Sequence, residues 1–119
     1  MIVQFAIPDP PSLNNIYANR AGGGRFKTAA YKKWREDGAA HLRWIIQAPR
    51  ITEAPVDVTI HLAKRLRGDA DNRIKPCMDL LVAAGVLIGD QKKFVRSAKA
   101  EWTDRDVSSV TIRTIEDAA

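Results

Sequence analysis

Apolar and polar positions alternate along several short stretches of the chain and recur at helical spacing along two longer ones. Met1 to Ile7 (MIVQFAI) reads as a first strand, stopped by Pro8, Pro10 and Pro11. The next segment, PSLNNIYANRAGGGRFKT, is rich in Asn, Gly and Arg and reads as a long irregular connection. Its three glycines are followed by Arg25, not by the Gly-Lys-Ser/Thr of a nucleotide loop, so a mobile loop is expected there. Thr28 then stands as the cap of a helix running to about Gln47 and ended by Pro49. Tyr31, Trp34, Leu42 and Ile45 fall near its apolar stripe, while Lys32, Lys33, Arg35 and Arg43 fall mostly off it. On this reading Tyr31 and Trp34 are core residues, and Trp44, near the edge of the stripe, is available for a subunit contact.

Val56, Val58, Ile60 and Leu62 alternate with Asp57, Thr59 and His61, the pattern of a half-buried strand with His61 solvated on its polar side. Asn72 to Ala84 returns to helical spacing. Ile74, Met78 and Leu81, flanked by Cys77, Leu80 and Ala84, form an apolar face, and Gly85 is a fitting stop. Pro76 is awkward in a helix interior, which moves the regular part to a start near Ile74 or Lys75. Lys93 to Trp102 and Val107 to Ile115 read as two closing strands, with Thr103 to Asp106 as the hairpin loop between them. The order β-α-β-α-β-β predicts one α+β domain over residues 1–119, a mixed, mostly antiparallel sheet with two main helices packed on it. Phe26 and Phe94 are expected in its core.

A chain of 119 residues suits a single core. Nineteen Lys and Arg against fourteen Asp and Glu give a net charge of +5, which favours polyanionic partners, nucleic acid before acidic membrane. One cysteine, Cys77, excludes an internal disulfide and a cysteine-based zinc site. His41 and His61 are too few for a histidine-rich metal site. The start has no basic leader region, and no stretch approaches the ~18 apolar residues of a membrane span. A cytoplasmic protein in a reducing compartment is expected.

Against that basic background, DADNRIKPCMDLLVAAGVLIGD (Asp69 to Asp90) holds four aspartates in 22 residues. Asp69 and Asp71, two apart in an extended segment, point to the same side. Asp71, Lys75 and Asp79, four apart, share the helix face opposite Ile74, Met78 and Leu81. Asp90 reaches the same place if Val86 to Ile88 pairs beside the earlier strand. Three carboxylates without His or Cys suit Mg²⁺ or Mn²⁺. Two ordinary explanations remain open on spacing alone: Asp71 and Asn72 as helix caps, and Asp71–Lys75 as a surface ion pair. A calcium loop fails, because Arg73, Ile74 and Leu80 stand where it needs Asp/Asn, Gly and Glu. If a metal is held, the reaction that a basic protein best serves is phosphodiester hydrolysis. Lys64, Arg65 and Arg67 would then contact the DNA backbone, and Lys75 would neutralise charge at the attacked phosphate.

Asp69 to Asn72 (DADN), Lys75, Asp79, Ala84-Gly85 and Asp90, in this order and spacing, resemble the RusA family of Holliday junction resolvases, often carried by phages and prophages. PPSLNNIY, Pro10 to Tyr17, is similar to the segment that follows the family's first strand. The resemblance implies a homodimer without organic cofactor that binds four-way DNA junctions and nicks two strands symmetrically with Mg²⁺ or Mn²⁺, in recombination and repair near the nucleoid. It places the catalytic and metal-binding acids on Asp69, Asp71 and Asp90 and the catalytic lysine on Lys75. Asn72 and Asp79 take supporting roles. Two departures are visible: Gly89 stands where the family commonly has a second acid, and Pro76 follows Lys75. The alternatives are a catalytically silent module that binds branched DNA, and a nuclease of the same site that cuts flaps or forks.

Overall fold

The computed structural model describes residues 1–53 and 55–115. Among these described residues, six strands and two α-helices follow one another as β1 (Ile2–Ala6), β2 (Tyr17–Asn19), β3 (Arg25–Lys27), α1 (Ala29–His41), β4 (Val56–Leu62), α2 (Ile74–Ala83), β5 (Val95–Trp102) and β6 (Ser109–Thr114). The main sheet has the order β1-β6-β4-β5, and β2 pairs with β3 as a separate two-stranded ribbon. In the main sheet β4 runs parallel to β5 and antiparallel to β6, and β1 is antiparallel to β6. The sheet is therefore mixed and mostly antiparallel, as its sequence pattern predicts.

The strand β4 alternates buried and half-buried positions without a break, with Val56, Val58, Ile60 and Leu62 inward. These side chains meet Val110 and Ile112 of β6, Ala39 and Leu42 from the first helical segment, and Cys77, Met78, Leu80 and Leu81 of α2. Asp57, Thr59 and Thr111 line a polar depression on the sheet's other face. His61, also on that face, lies 2.8 Å from Thr111 and 3.0 Å from Glu101, so it is held by cross-strand partners and not simply solvated.

Thr28 caps α1 as expected, its hydroxyl accepting from the Tyr31 backbone N–H at 3.2 Å. The helix passes into a π-helical turn, Leu42–Ile46, and stops at Gln47, whose φ of 56° is left-handed. The stop thus precedes Pro49. Pro76 is the third residue of α2, where its missing N–H has no partner within the helix to lose.

Three expectations need correction. Thr103 to Asp106 is not a hairpin loop, because β5 and β6 lie on opposite sides of β4 and are not neighbours. Alternation marks a strand without naming its partner. The segment after the first strand is not irregular throughout: Tyr17–Asn19 and Arg25–Lys27 pair across Gly22, Gly23 and Gly24, all at positive φ. Phe26 is not in the core but 40% exposed on that ribbon, with the Arg20 guanidinium 5.7 Å from its ring centre. Phe94 does pack against the core.

Candidate active site

The connection from β4 to β5 carries most of the acidic cluster, and a parallel pair forces that connection to cross the sheet. It leaves Leu62, turns through Gly68 at positive φ, enters a 3₁₀ turn at Ala70–Arg73 and continues as α2. Asp69 precedes the turn in extended conformation, and the Asn72 N–H closes on its carbonyl at 3.2 Å. Arg73 pins this entry, donating to the Pro10 carbonyl at 2.6 Å and the Arg67 carbonyl at 2.7 Å. Only the fold reveals that clamp, since nothing in the sequence pairs Arg73 with residue 10.

Neither ordinary explanation of the acidic residues holds. The capping position of α2 is Arg73, without a side-chain cap, so Asp71 and Asn72 do not cap it. Asp69, which does hold the position before the 3₁₀ turn, makes no capping bond either. Lys75 does not pair with Asp71. Its ammonium lies 3.1 Å from Asp79 Oδ1 and 3.5 Å from Asp90 Oδ2. These two carboxylates raise its pKa, Asp79 first through its hydrogen bond, against a smaller opposing effect of burial.

Asp90 reaches Lys75 because the chain doubles back after Gly85, at φ 77°. The Val86 N–H bonds the Leu81 carbonyl at 3.0 Å, and Val86 and Leu87 are buried. Val86 to Ile88 is not a strand; the return depends on this turn and on the Ile51 N–H, which bonds the Val86 carbonyl at 2.8 Å. Gly89 packs under Phe94. A Cβ there would stand 3.0 Å from the ring, so a side chain at this position would require Phe94 to shift.

Asp79 is the most enclosed of the group, with its side chain 13% exposed. Its Oδ2 accepts the Tyr31 hydroxyl at 2.6 Å. Tyr31 is in the core, as its spacing predicts, but its phenol points at the site. Burial first, and then the Asp79 hydrogen bond and charge, raise its pKa far above the usual tyrosine range. Lys75, Asp79 and Asp90 line, with Arg35, Glu36, Val82 and Ala83, a depression of about 510 Å³.

Asp69 and Asp71 are exposed, and their carboxylates form no hydrogen bond or ion pair among the described residues. Among the described residues no three Asp, Glu, His or Cys side chains form a group that could hold a metal ion as they stand. The structure brings Lys75, Asp79 and Asp90 together and leaves Asp69 and Asp71 outside that contact set.

The cations divide into engaged and unengaged ones. Arg65 is ion-paired with Asp9 and donates to the Asp106 carbonyl, and Lys64 lies 3.2 Å from Asp106. Arg67 has no side-chain partner among the described residues. Residues 10–35 contain six Lys and Arg and no Asp or Glu, a concentration that a running charge count would have found. Arg25 lies over the Tyr17 ring at 4.7 Å, and Arg35 and Lys27 flank Tyr31 at 5.6 and 5.9 Å from its ring centre. This cationic strip runs from the β2–β3 ribbon to the rim of the depression at Arg35.

The chain is 33% identical over 86 residues to the crossover junction endodeoxyribonuclease RusA of Aquifex aeolicus (strain VF5), a match spanning 71% of this chain and 68% of that protein. No family model matches the chain. No helix among the described residues is long and apolar enough to cross a membrane.

Proposed function

The chain belongs to the RusA family of crossover junction endodeoxyribonucleases, and from that premise we propose that it cuts four-way DNA junctions by phosphodiester hydrolysis, as a homodimer. The observation that carries this reading is the approach of Lys75 to Asp79 and Asp90 at one depression, beside a cationic strip and in a chain of this family. A carboxylate pair facing a phosphate is useless for binding alone, because it repels the ligand that the cations attract. It is useful where charge must be managed during a reaction.

Asp69, Asp71 and Asp90 would hold a divalent cation, Mg²⁺ or Mn²⁺. Their donor chemistry fits a hard ion, and two of the three carboxylates have no internal partner to give up. Gathering them is the local change that binding requires. Such an ion supplies Lewis-acid stabilisation of charge at the attacked phosphate. The chain's own groups do the rest. Lys75 holds a protonated ammonium where charge develops on the phosphate oxygens. The cations of the ribbon, with Arg67, dock the backbone without regard to sequence.

The test incubates the purified chain with a four-way junction and a linear duplex of equal length, each with Mg²⁺, with Mn²⁺ and with a chelator. Paired symmetric nicks in the junction alone, lost with chelator, are expected. Tight junction binding without nicking under all conditions would replace this reading with a silent binding module.

A further inference from the structure

We propose that Tyr31 is a positioning residue for cleavage, acting through Asp79 on the Lys75 ammonium. This rests on the reading of Lys75 as a catalytic group given above. The two oxygens of Asp79 are divided between two donors from different helices: Oδ2 takes the Tyr31 hydroxyl at 2.6 Å, and Oδ1 takes Lys75 at 3.1 Å. The terminal torsion of an aspartate is broad and roughly two-fold, so an ion pair with one flexible lysine would leave the carboxylate free to rotate. A second donor on the other oxygen removes that freedom. Tyr31 is suited to the task because it cannot itself move: the residue is 2% exposed, and its ring stacks on Trp34 at 6.0 Å.

Lys75 gains from this arrangement. Its side chain is half-exposed, and its second contact, to Asp90, is longer. Asp79 is therefore the tether that holds the ammonium at the rim of the depression; α1 lines that depression with Arg35 and Glu36 and reaches Asp79 through the Tyr31 hydroxyl. Burial and the Asp79 charge keep the phenol protonated, which keeps it a donor. Tyr31 is not among the residues that line the depression.

Single-turnover cleavage of a four-way junction at saturating protein tests the relay, using the full chain, Tyr31→Phe, Asp79→Asn, their double variant and Lys75→Ala. Tyr31→Phe is expected to slow cleavage about tenfold, because a displaced group loses the geometry that chemistry needs, with junction affinity unchanged. In the Asp79→Asn background it should cost nothing further, since the relay is already cut. Equal losses in both backgrounds would make Tyr31 merely structural and overturn the proposal, as would weaker binding at an unchanged rate. Should Tyr31→Phe fail to fold, Asp79→Asn tests the relay from its other end, and an unchanged rate there overturns it. Lys75→Ala separates the two levels. Full activity in that variant would remove the catalytic reading of Lys75 together with the relay. A slow Lys75→Ala beside a normal Tyr31→Phe would remove the relay alone.

Discussion

The Lys75 ammonium lies 3.5 Å from Asp90 Oδ2, although α2 ends and the chain reverses between the two residues. The contact is a product of the turn at Gly85 and not of helical spacing. It sets a cation beside an acid that would otherwise repel an approaching phosphate. Lys75→Ala should slow junction cleavage by about a hundredfold or more, the scale of losing one preorganised charge at a reacting phosphate. Binding should weaken little, because one cation among many is a small part of the docking charge. Loss of binding at an undiminished rate of cleavage would make Lys75 a docking residue.

Asp71 offers a cleaner test of the metal, because its carboxylate has no internal partner. Asp71→Asn should leave the stability to urea unchanged within the ~0.5 kcal/mol typical of surface substitutions. Cleavage should vanish with both Mg²⁺ and Mn²⁺, and junction binding should hold or tighten as one negative charge is removed. Retained cleavage would take Asp71 out of the site.

Cations with and without an internal ion pair predict different responses to salt. Each phosphate contact contributes about 0.9 to the slope of log affinity against log salt for duplex DNA. Replacing Arg20 and Arg25 by Ala should therefore lower the slope by about two per chain. Arg65→Ala should lower it by well under the ~0.9 of a full contact, because its guanidinium is already ion-paired with Asp9. A drop of about 0.9 for Arg65→Ala would show that the internal pairing of Arg65 does not govern docking.

The strands were legible wherever burial alternates. Val56 to Leu62 reads correctly position by position, as does the apolar face of α2 with its stop at Gly85. Pairing was not legible, since a strand's own residues do not say which neighbour it takes; that is why β4 separates the two strands that read as a hairpin. The three-residue strands of the ribbon are too short to show a period, and their turn glycines read as looseness. At the site, spacing gave Lys75 with Asp79, an interval of four. Asp90 needed the reversal after α2. Tyr31, 48 residues from Asp79, needed the packing of α1 on α2, which no local pattern carries.

That packing depends on Gly38, a buried glycine in α1. A Cβ there would stand 2.9 Å from Leu80 Cδ1 and 3.1 Å from Pro8 Cγ. In a free helix Gly→Ala stabilises by about 1 kcal/mol. Here Leu80 is fully buried and cannot swing away, so overpacking at about 1–3 kcal/mol should win. Gly38→Ala should lower the denaturation midpoint and, by spreading α1 from α2, slow cleavage as well. A raised midpoint would show that the interface yields without strain.

Tyr31 also predicts how stability responds to alkali. Its pKa is raised in the folded chain, by burial first and then by Asp79, above the value near 10 of an unfolded tyrosine. The unfolded state therefore loses this proton first. The contribution is fully present below about pH 10 and is lost as pH rises beyond it. Tyr31→Phe has no proton to lose at that position, while the other alkaline groups remain the same in both proteins. Between about pH 9 and about pH 11, the urea midpoint of the natural chain should fall more steeply than that of Tyr31→Phe. Parallel curves would mean that the phenol is not held protonated, and that its bond to Asp79 is too weak to fix the carboxylate on which Lys75 depends.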